Sequence, residues 1–325
     1  MNAIRATIYY ILLFMYAYMY TIIAEITYFI ETIFIIKFDN KKETKKIGWY
    51  NKLNYYYAHA YLSILKIVGV KIYYNGSINP GRKIFVSNHR SKLDGIIIQN
   101  MLCIADIDTI TVVKKSIKNI PLFGSIGRHS GSIFIERTKS IAEKILIEKS
   151  KESIETNQSI LLFPEGATMS LNSKSRSDRY AINNGLSLFK NVLVPRTTGF
   201  DIIQSNGKFD IVGNITIRYS DPKIPYCEEH SYLDIFKLFP KKVYIDIEYE
   251  NNIGKNDLYN IFDKKDKKID SEIPFSEYKE CPYSKFCLFY NGLFFVYFYY
   301  LMFTVSFFRY VTLAISILSA ILNFF

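Results

Sequence analysis

Asn88-His89-Arg90-Ser91-Lys92-Leu93-Asp94 follows the apolar run Ile84-Phe85-Val86, and Phe163-Pro164-Glu165-Gly166 closes a second run, Ile160-Leu161-Leu162-Phe163. Short apolar runs bounded by turn residues read as buried strands. Ligands of α/β folds gather just beyond strand ends. The first stretch places an imidazole and a carboxylate five positions apart at such an end, where they can act as a base and its orienting partner. Five residues turn 500° around an ideal helix, so the two share no helical face. They meet only if His89 precedes a helix and Asp94 lies in its first turn. A surface histidine beside a helix-start aspartate would give the same letters.

Outward from these stretches the chain alternates strand and helix patterns. Strands are expected at 83–87, 109–113, 132–135, 159–163, 192–194, 211–219 and 242–250, and helices at 95–104, 140–156, 179–190 and 255–262. Segment 242–250 is the clearest two-residue alternation, with Val243, Ile245, Ile247 and Tyr249 on one face. Ser140-Ile141-Ala142-Glu143 has the form of a capping box. The alternation predicts an α/β domain, a mixed sheet flanked by helices. The charged run 263–272, DKKDKKIDSE, reads as a solvated linker.

Both ends of the chain are apolar. Residues 6–24 carry no charge, enough at ~1.5 Å per residue to cross most of a hydrocarbon core of about 30 Å. Glu25 and Glu31 then predict an interfacial or re-entrant continuation over 26–36, since charge at the bilayer centre is costly. The lysines at 37, 41, 42, 45 and 46 predict a cytosolic flank. Residues 286–325 carry one charge, Arg309, with 286–308 long enough to span and 310–325 short enough to lie in the interface. The expected division is a membrane segment at 1–36, a catalytic domain at 37–285 and membrane segments at 286–325.

Hydrophobic residues at 49% exclude a disordered chain, and a net charge of +11 favours anionic partners: nucleic acid, acidic membrane or phosphate-bearing substrates. No recognised nucleic-acid motif is present, and many aromatic residues lie in the apolar ends, so nucleic acid is not an expected partner. Cys103, Cys227, Cys281 and Cys287 show neither a C-x-x-C pair nor metal-ligand spacing, so unpaired thiols and no metal are expected.

Two further stretches complete the pattern: Gly131-Ser132-Ile133-Phe134-Ile135-Glu136-Arg137, with a guanidinium at a strand end, and Val192-Leu193-Val194-Pro195-Arg196. Each alone has a plain structural reading, a solvent arginine and a core strand leaving its sheet. In this order the four stretches, spanning 83–200, resemble the 1-acylglycerol-3-phosphate acyltransferase family of glycerolipid acyltransferases. The text Lys114-Lys115-Ser116-Ile117-Lys118-Asn119-Ile120-Pro121-Leu122-Phe123-Gly124 and Pro195-Arg196-Thr197-Thr198-Gly199-Phe200 looks most like the eukaryotic lysocardiolipin and lysophosphatidylinositol branch.

The resemblance implies a membrane-bound enzyme, at the endoplasmic reticulum and facing the cytosol, that moves an acyl group from acyl-CoA to a lysophospholipid hydroxyl. Lysophosphatidic acid is the first expected acceptor; lysophosphatidylinositol, lysocardiolipin and glycerol-3-phosphate are alternatives, and a non-catalytic lipid-binding relative is the competing class. It implies His89 as base, Asp94 as its orienter, Arg137, Glu165 and Gly166 in the acceptor site, and Pro195 on the acyl-CoA side. Acyl-CoA is a co-substrate and no cofactor is expected. Where the family commonly has threonine after Glu-Gly, this chain has Ala167, with Thr168 next. Oligomeric state is not legible in the sequence.

Overall fold

The computed structural model describes residues 2–38, 48–120, 123–136, 138–221, 240–251, 253–282 and 285–324. Two long helices, α1 (Asn2–Phe38) and α2 (Gly48–Ile67), precede the sheet. Then follow β1 (Lys71–Asn75), β2 (Ile84–Ser87), α3 (Asp94–Ile104), β3 (Thr109–Lys114), α4 (Phe123–His129), β4 (Ile133–Ile135), α5 (Lys139–Thr156) and β5 (Ser159–Leu162). After these come α6 (Leu171–Asn183), α7 (Thr197–Gly207), β6 (Ile211–Tyr219), β7 (Lys242–Asn251), α8 (Asp257–Asp270), β8 (Lys279–Glu280), α9 (Lys285–Thr304) and α10 (Ser306–Phe324).

The eight strands form one mixed sheet in the order β4-β3-β5-β2-β6-β7-β1-β8. β4, β3, β5, β2 and β6 run parallel; β6 and β7 are antiparallel, β7 and β1 parallel, and β1 and β8 antiparallel. The β2–β5 and β2–β6 pairings set the ends of the two opening motifs side by side. Strand alternation divides the core. Phe85, Leu161, Ile215 and Ile245 pack under α1, α2 and α3. Ile84, Val86, Ile160 and Leu162 face the opposite way, toward α5, α7 and α8. Gly213 lies opposite Phe85 in register, and a Cβ there would sit 2.3 Å from that ring, so only glycine lets β6 close on β2.

Four expectations are corrected. Segment 192–194 is not a strand: its backbone bonds go to side chains, with Val192 N to Asp266 Oδ1 at 3.2 Å and Val194 N to Ser177 Oγ at 2.8 Å. The capping box expected at Ser140 is absent, because α5 starts one residue earlier on Thr138, whose side chain makes no cap bond. The box stands instead at α6, where Ser170 and Ser173 exchange side-chain-to-amide bonds and place that helix eight residues before its expected start. The supposed linker 263–272 is helical through Asp270. Leu258, Ile261, Phe262 and Lys265 fall on one buried stripe of α8, Asp266 takes the amides of 190–192, and Lys264, Lys267 and Asp270 are exposed.

The charge at Glu25 does not interrupt α1. Its carboxylate accepts from Arg128 Nη2 at 2.7 Å and Ser125 Oγ at 3.2 Å, and lies 3.1 Å from His129 Nε2. Near the other end Arg5 donates to Gly69 O at 2.8 Å and Pro240 O at 3.2 Å. These two clips lay α1 along the α/β domain. Its segment Ile4–Thr27 is long and apolar enough to cross a membrane, and half of its most apolar window is buried against the protein. Helices α9 and α10 meet at 106° and leave Phe303, Phe307 and Tyr310 largely exposed. The basic cluster at 41–46 lies outside the described residues.

Lys265 is the exception in the α8 stripe. It is fully buried, and its Nζ bonds to Ile215 O of β6 and, at 3.4 Å, to Val86 O of the paired strand β2. Burial pushes its amine down to about 7, against the smaller upward pull of Glu248, Glu165 and Asp246. A neutral amine has two hydrogens for those two carbonyls. Between pH 7 and the ordinary lysine range the unfolded chain binds a proton that the folded chain does not, so stability rises with pH in that window. The melting-temperature difference between the wild-type protein and Lys265→Met, which has no such titration, is expected to grow in favour of wild type from pH 7 to 9.5. A difference independent of pH would contradict this.

Candidate active site

β2 ends at Ser87, and the next residue extends the ladder with its side chain. Asn88 Nδ2 donates to Ile217 O at 3.0 Å and Asn88 Oδ1 accepts from Ile217 N at 2.9 Å. This pins the start of the 89–93 loop to β6. The loop then turns into α3, whose first residue is Asp94.

Asp94 is fully buried and gathers four donors. Oδ2 accepts from Arg90 N at 2.6 Å and Ser91 N at 2.8 Å, and lies 3.1 Å from His89 Nδ1. Oδ1 accepts from the Tyr219 hydroxyl at the end of β6. Backbone amides only donate, so Oδ2 is an acceptor and Nδ1 carries the imidazole hydrogen. Nε2 is left with a lone pair facing outward. The imidazole packs at 4.4 Å between centroids on Phe163 and is one-fifth exposed.

Glu165 follows β5 beside this loop. Its carboxyl is 3% exposed, and Oε1 accepts from His89 N at 3.2 Å. Burial pushes the carboxyl well above the usual range, opposed by the amides of His89 and Leu193 and by Arg90. It therefore braces the backbone that carries His89. Gly166 turns the chain with φ +65, a left-handed conformation, and a Cβ there would lie 3.4 Å from Arg196 Cδ.

The fourth motif joins the third directly. Arg196 N donates to Pro164 O at 2.8 Å, which places buried Pro195 and the exposed Arg196 side chain over the Gly166 turn. Arg90 donates to Asn191 O at 2.7 Å and ties the same segment to the histidine loop. Thus His89, Asp94, Glu165, Gly166 and Pro195 converge at the C-terminal ends of β5, β2 and β6. Arg137 lies outside the described residues. At the ends of β3 and β4 a cavity of about 320 Å³ is lined by Lys114, Lys115, Ser116, Glu136 and Thr138.

Sequence reasoning missed two members. Tyr219 stands at the end of a strand that was expected, but its place beside β2 depends on sheet order. Thr168 places Oγ1 3.3 Å from His89 Nε2. The shift of the hydroxyl from position 167 to 168 was visible, whereas its partner was not. Cys103 and Cys281 are free thiols.

A family model described as Acyltransferase matches residues 70–205. Lysocardiolipin acyltransferase 1 of Mus musculus is 32% identical over 193 residues, 55% of this chain and 50% of that protein. The probable 1-acyl-sn-glycerol-3-phosphate acyltransferase 5 of Arabidopsis thaliana is 31% identical over 191 residues, 56% of this chain and 49% of that protein. The chain thus spans about half the length of these curated relatives. The crystal structure of the 1-acyl-sn-glycerophosphate (LPA) acyltransferase PlsC from Thermotoga maritima covers 83% of this chain and 96% of its own, with a TM-score of 0.47 and 17% identity. The sheet ends that bring together His89, Asp94, Glu165 and Gly166 lie inside the matched stretch, and residues 70–205 are a domain of the acyltransferase family.

Proposed function

We propose that the chain transfers an acyl group from acyl-CoA to the free hydroxyl of a lysophospholipid, with lysophosphatidic acid as the simplest acceptor. The observation that carries the reading is the imidazole held at Nδ1 by Asp94, with its Nε2 turned to a hydroxyl, that of Thr168. The acceptor hydroxyl takes the place of Thr168 at Nε2 and attacks the thioester carbonyl as His89 removes its proton. Asp94 holds the imidazolium that forms. The proton then passes from Nε2 to the departing thiolate. A thioester is already activated, so direct attack by the acceptor alcohol suffices.

Phosphate recognition belongs to the basic groups around the strand ends. Arg196, over the Gly166 turn, and Arg137, which follows Glu136 of the lysine-lined cavity in sequence, are the guanidinium groups assigned to it. A larger acceptor is favoured by one finding, the 32% identity to a protein named lysocardiolipin acyltransferase 1. The apolar faces of α1, α9 and α10 support work at a membrane surface, for which the cytosolic face of the endoplasmic reticulum is the proposed site.

Radiolabelled acyl-CoA offered with lysophosphatidic acid, lysophosphatidylinositol and monolysocardiolipin to the purified protein tests both chemistry and acceptor. His89→Ala is expected to lose ~10²–10⁴-fold in transfer with expression and melting temperature retained; full turnover would remove His89 from the base role. Glu165→Gln keeps an acceptor for the His89 amide and is expected to stay within about tenfold of wild type. Glu165→Ala leaves that buried amide unpaired, at a cost of ~1–3 kcal/mol, and is expected to lose both stability and turnover. Equal activity in the two variants would show that the brace is dispensable. Arg137→Ala is expected to raise the KM for the acceptor more than the KM for acyl-CoA, and an unchanged acceptor KM would move Arg137 out of the phosphate site.

A further inference from the structure

The base already has an alcohol on it. Thr168 Oγ1 lies 3.3 Å from His89 Nε2, and His89 Nδ1 lies 3.1 Å from Asp94 Oδ2. Alcohol, imidazole and buried carboxylate stand in the order of a nucleophilic triad. Because two amides make Oδ2 an acceptor, the imidazole carries its hydrogen on Nδ1 and Thr168 donates to Nε2. That is the polarity a nucleophile needs.

The backbone makes this juxtaposition a built one. Met169 N donates to His89 O at 2.8 Å, so the residue after the threonine is tied to the residue that carries the base. Thr168 O accepts from Ser173 Oγ at 2.7 Å, and Ser173 belongs to the capping box that starts α6. Met169 is fully buried. Thr168 and His89 are both partly exposed, which leaves the hydroxyl open to a thioester from the solvent side. Direct transfer to a lipid alcohol makes no use of this hydroxyl.

We propose that Thr168 accepts the acyl group when no lipid alcohol is bound, so that the chain also hydrolyses acyl-CoA through an O-acyl-threonine. The proposal rests on the reading of this site as acyl-CoA-dependent. Thr168 Oγ1 attacks the thioester carbonyl carbon while His89 Nε2 takes the hydroxyl proton. The tetrahedral adduct collapses, the C–S bond breaks, and the thiolate leaves with the proton from Nε2. The products are free CoA and a threonine ester. Water then enters, His89 takes one of its protons, and the ester C–O bond breaks as Nε2 returns that proton to Oγ1. A fatty acid departs and the threonine is restored.

The test incubates the purified full chain in detergent micelles with oleoyl-CoA and no lysolipid, followed by acid quench, intact mass and peptide mapping. Wild type is expected to carry one oleoyl increment on the peptide containing Thr168 and to release CoA in a burst approaching one per protein. Thr168→Val is expected to lose the increment and to cut acceptor-independent release at least ~10-fold. Thr168→Ser is expected to restore both. CoA release that persists in Thr168→Val, or an increment found only on cysteine, overturns the proposal. Wild type that acylates lysophosphatidic acid yet shows neither increment nor acceptor-independent release also overturns it and leaves the proposed transfer standing. Failure of both reactions removes both readings.

Discussion

The site depends on the carboxylate of Asp94. Four donors from two parts of the chain converge on it: the imidazole and two amides of the 89–91 loop, and the Tyr219 hydroxyl from the end of β6. A fully buried carboxylate is costly unless it is hydrogen-bonded, and here every donor also fixes something else. The amides set the loop, the hydroxyl locks the loop to the sheet, and the imidazole is left in one tautomer. The chemistry available at Nε2 is therefore decided by contacts that never touch a substrate.

The rest of the architecture holds that carboxylate and its loop in place. Asn88 continues the ladder with its side-chain amide, and Lys265 ties a carbonyl of β2 to a carbonyl of β6. Glu165 supports the loop from β5, and Arg90 links it to the segment that carries Pro195 and Arg196. Asn88, Glu165 and Tyr219 stand at the C-terminal ends of the adjacent parallel strands β2, β5 and β6, the place where α/β folds leave room for a ligand. Helix α1 crosses one face of this sheet, clipped at Arg5 and Glu25, so the apolar surface is fixed relative to the site.

Much of this was legible in the sequence because it is local. Apolar runs bounded by turn residues gave β2, β3, β4, β5, β6 and β7 within a residue or two, and the five-residue spacing of His89 and Asp94 stated its own condition, a helix starting at the aspartate. What stayed hidden is what tertiary contact decides. Charge along 263–272 looked like solvent, yet its helical period carries one lysine into the core. Val192-Leu193-Val194 has the letters of a strand, but Asp266 and Ser177 take its amides before any neighbour strand could. Tyr219 reaches Asp94 from 125 positions away in the chain and Thr168 reaches His89 from 79, and no local pattern announces such a meeting.

The tautomer of His89 is the most direct test. Nitrogen-15 NMR on histidine-labelled protein in micelles has four histidines to assign, and the His89 signals are identified by their loss in a His89 variant. The account predicts a protonated Nδ1 and an unprotonated Nε2 at a pH where the ring is neutral. A neutral ring with its hydrogen on Nε2 would contradict it, for the base would then face its carboxylate and not the substrate.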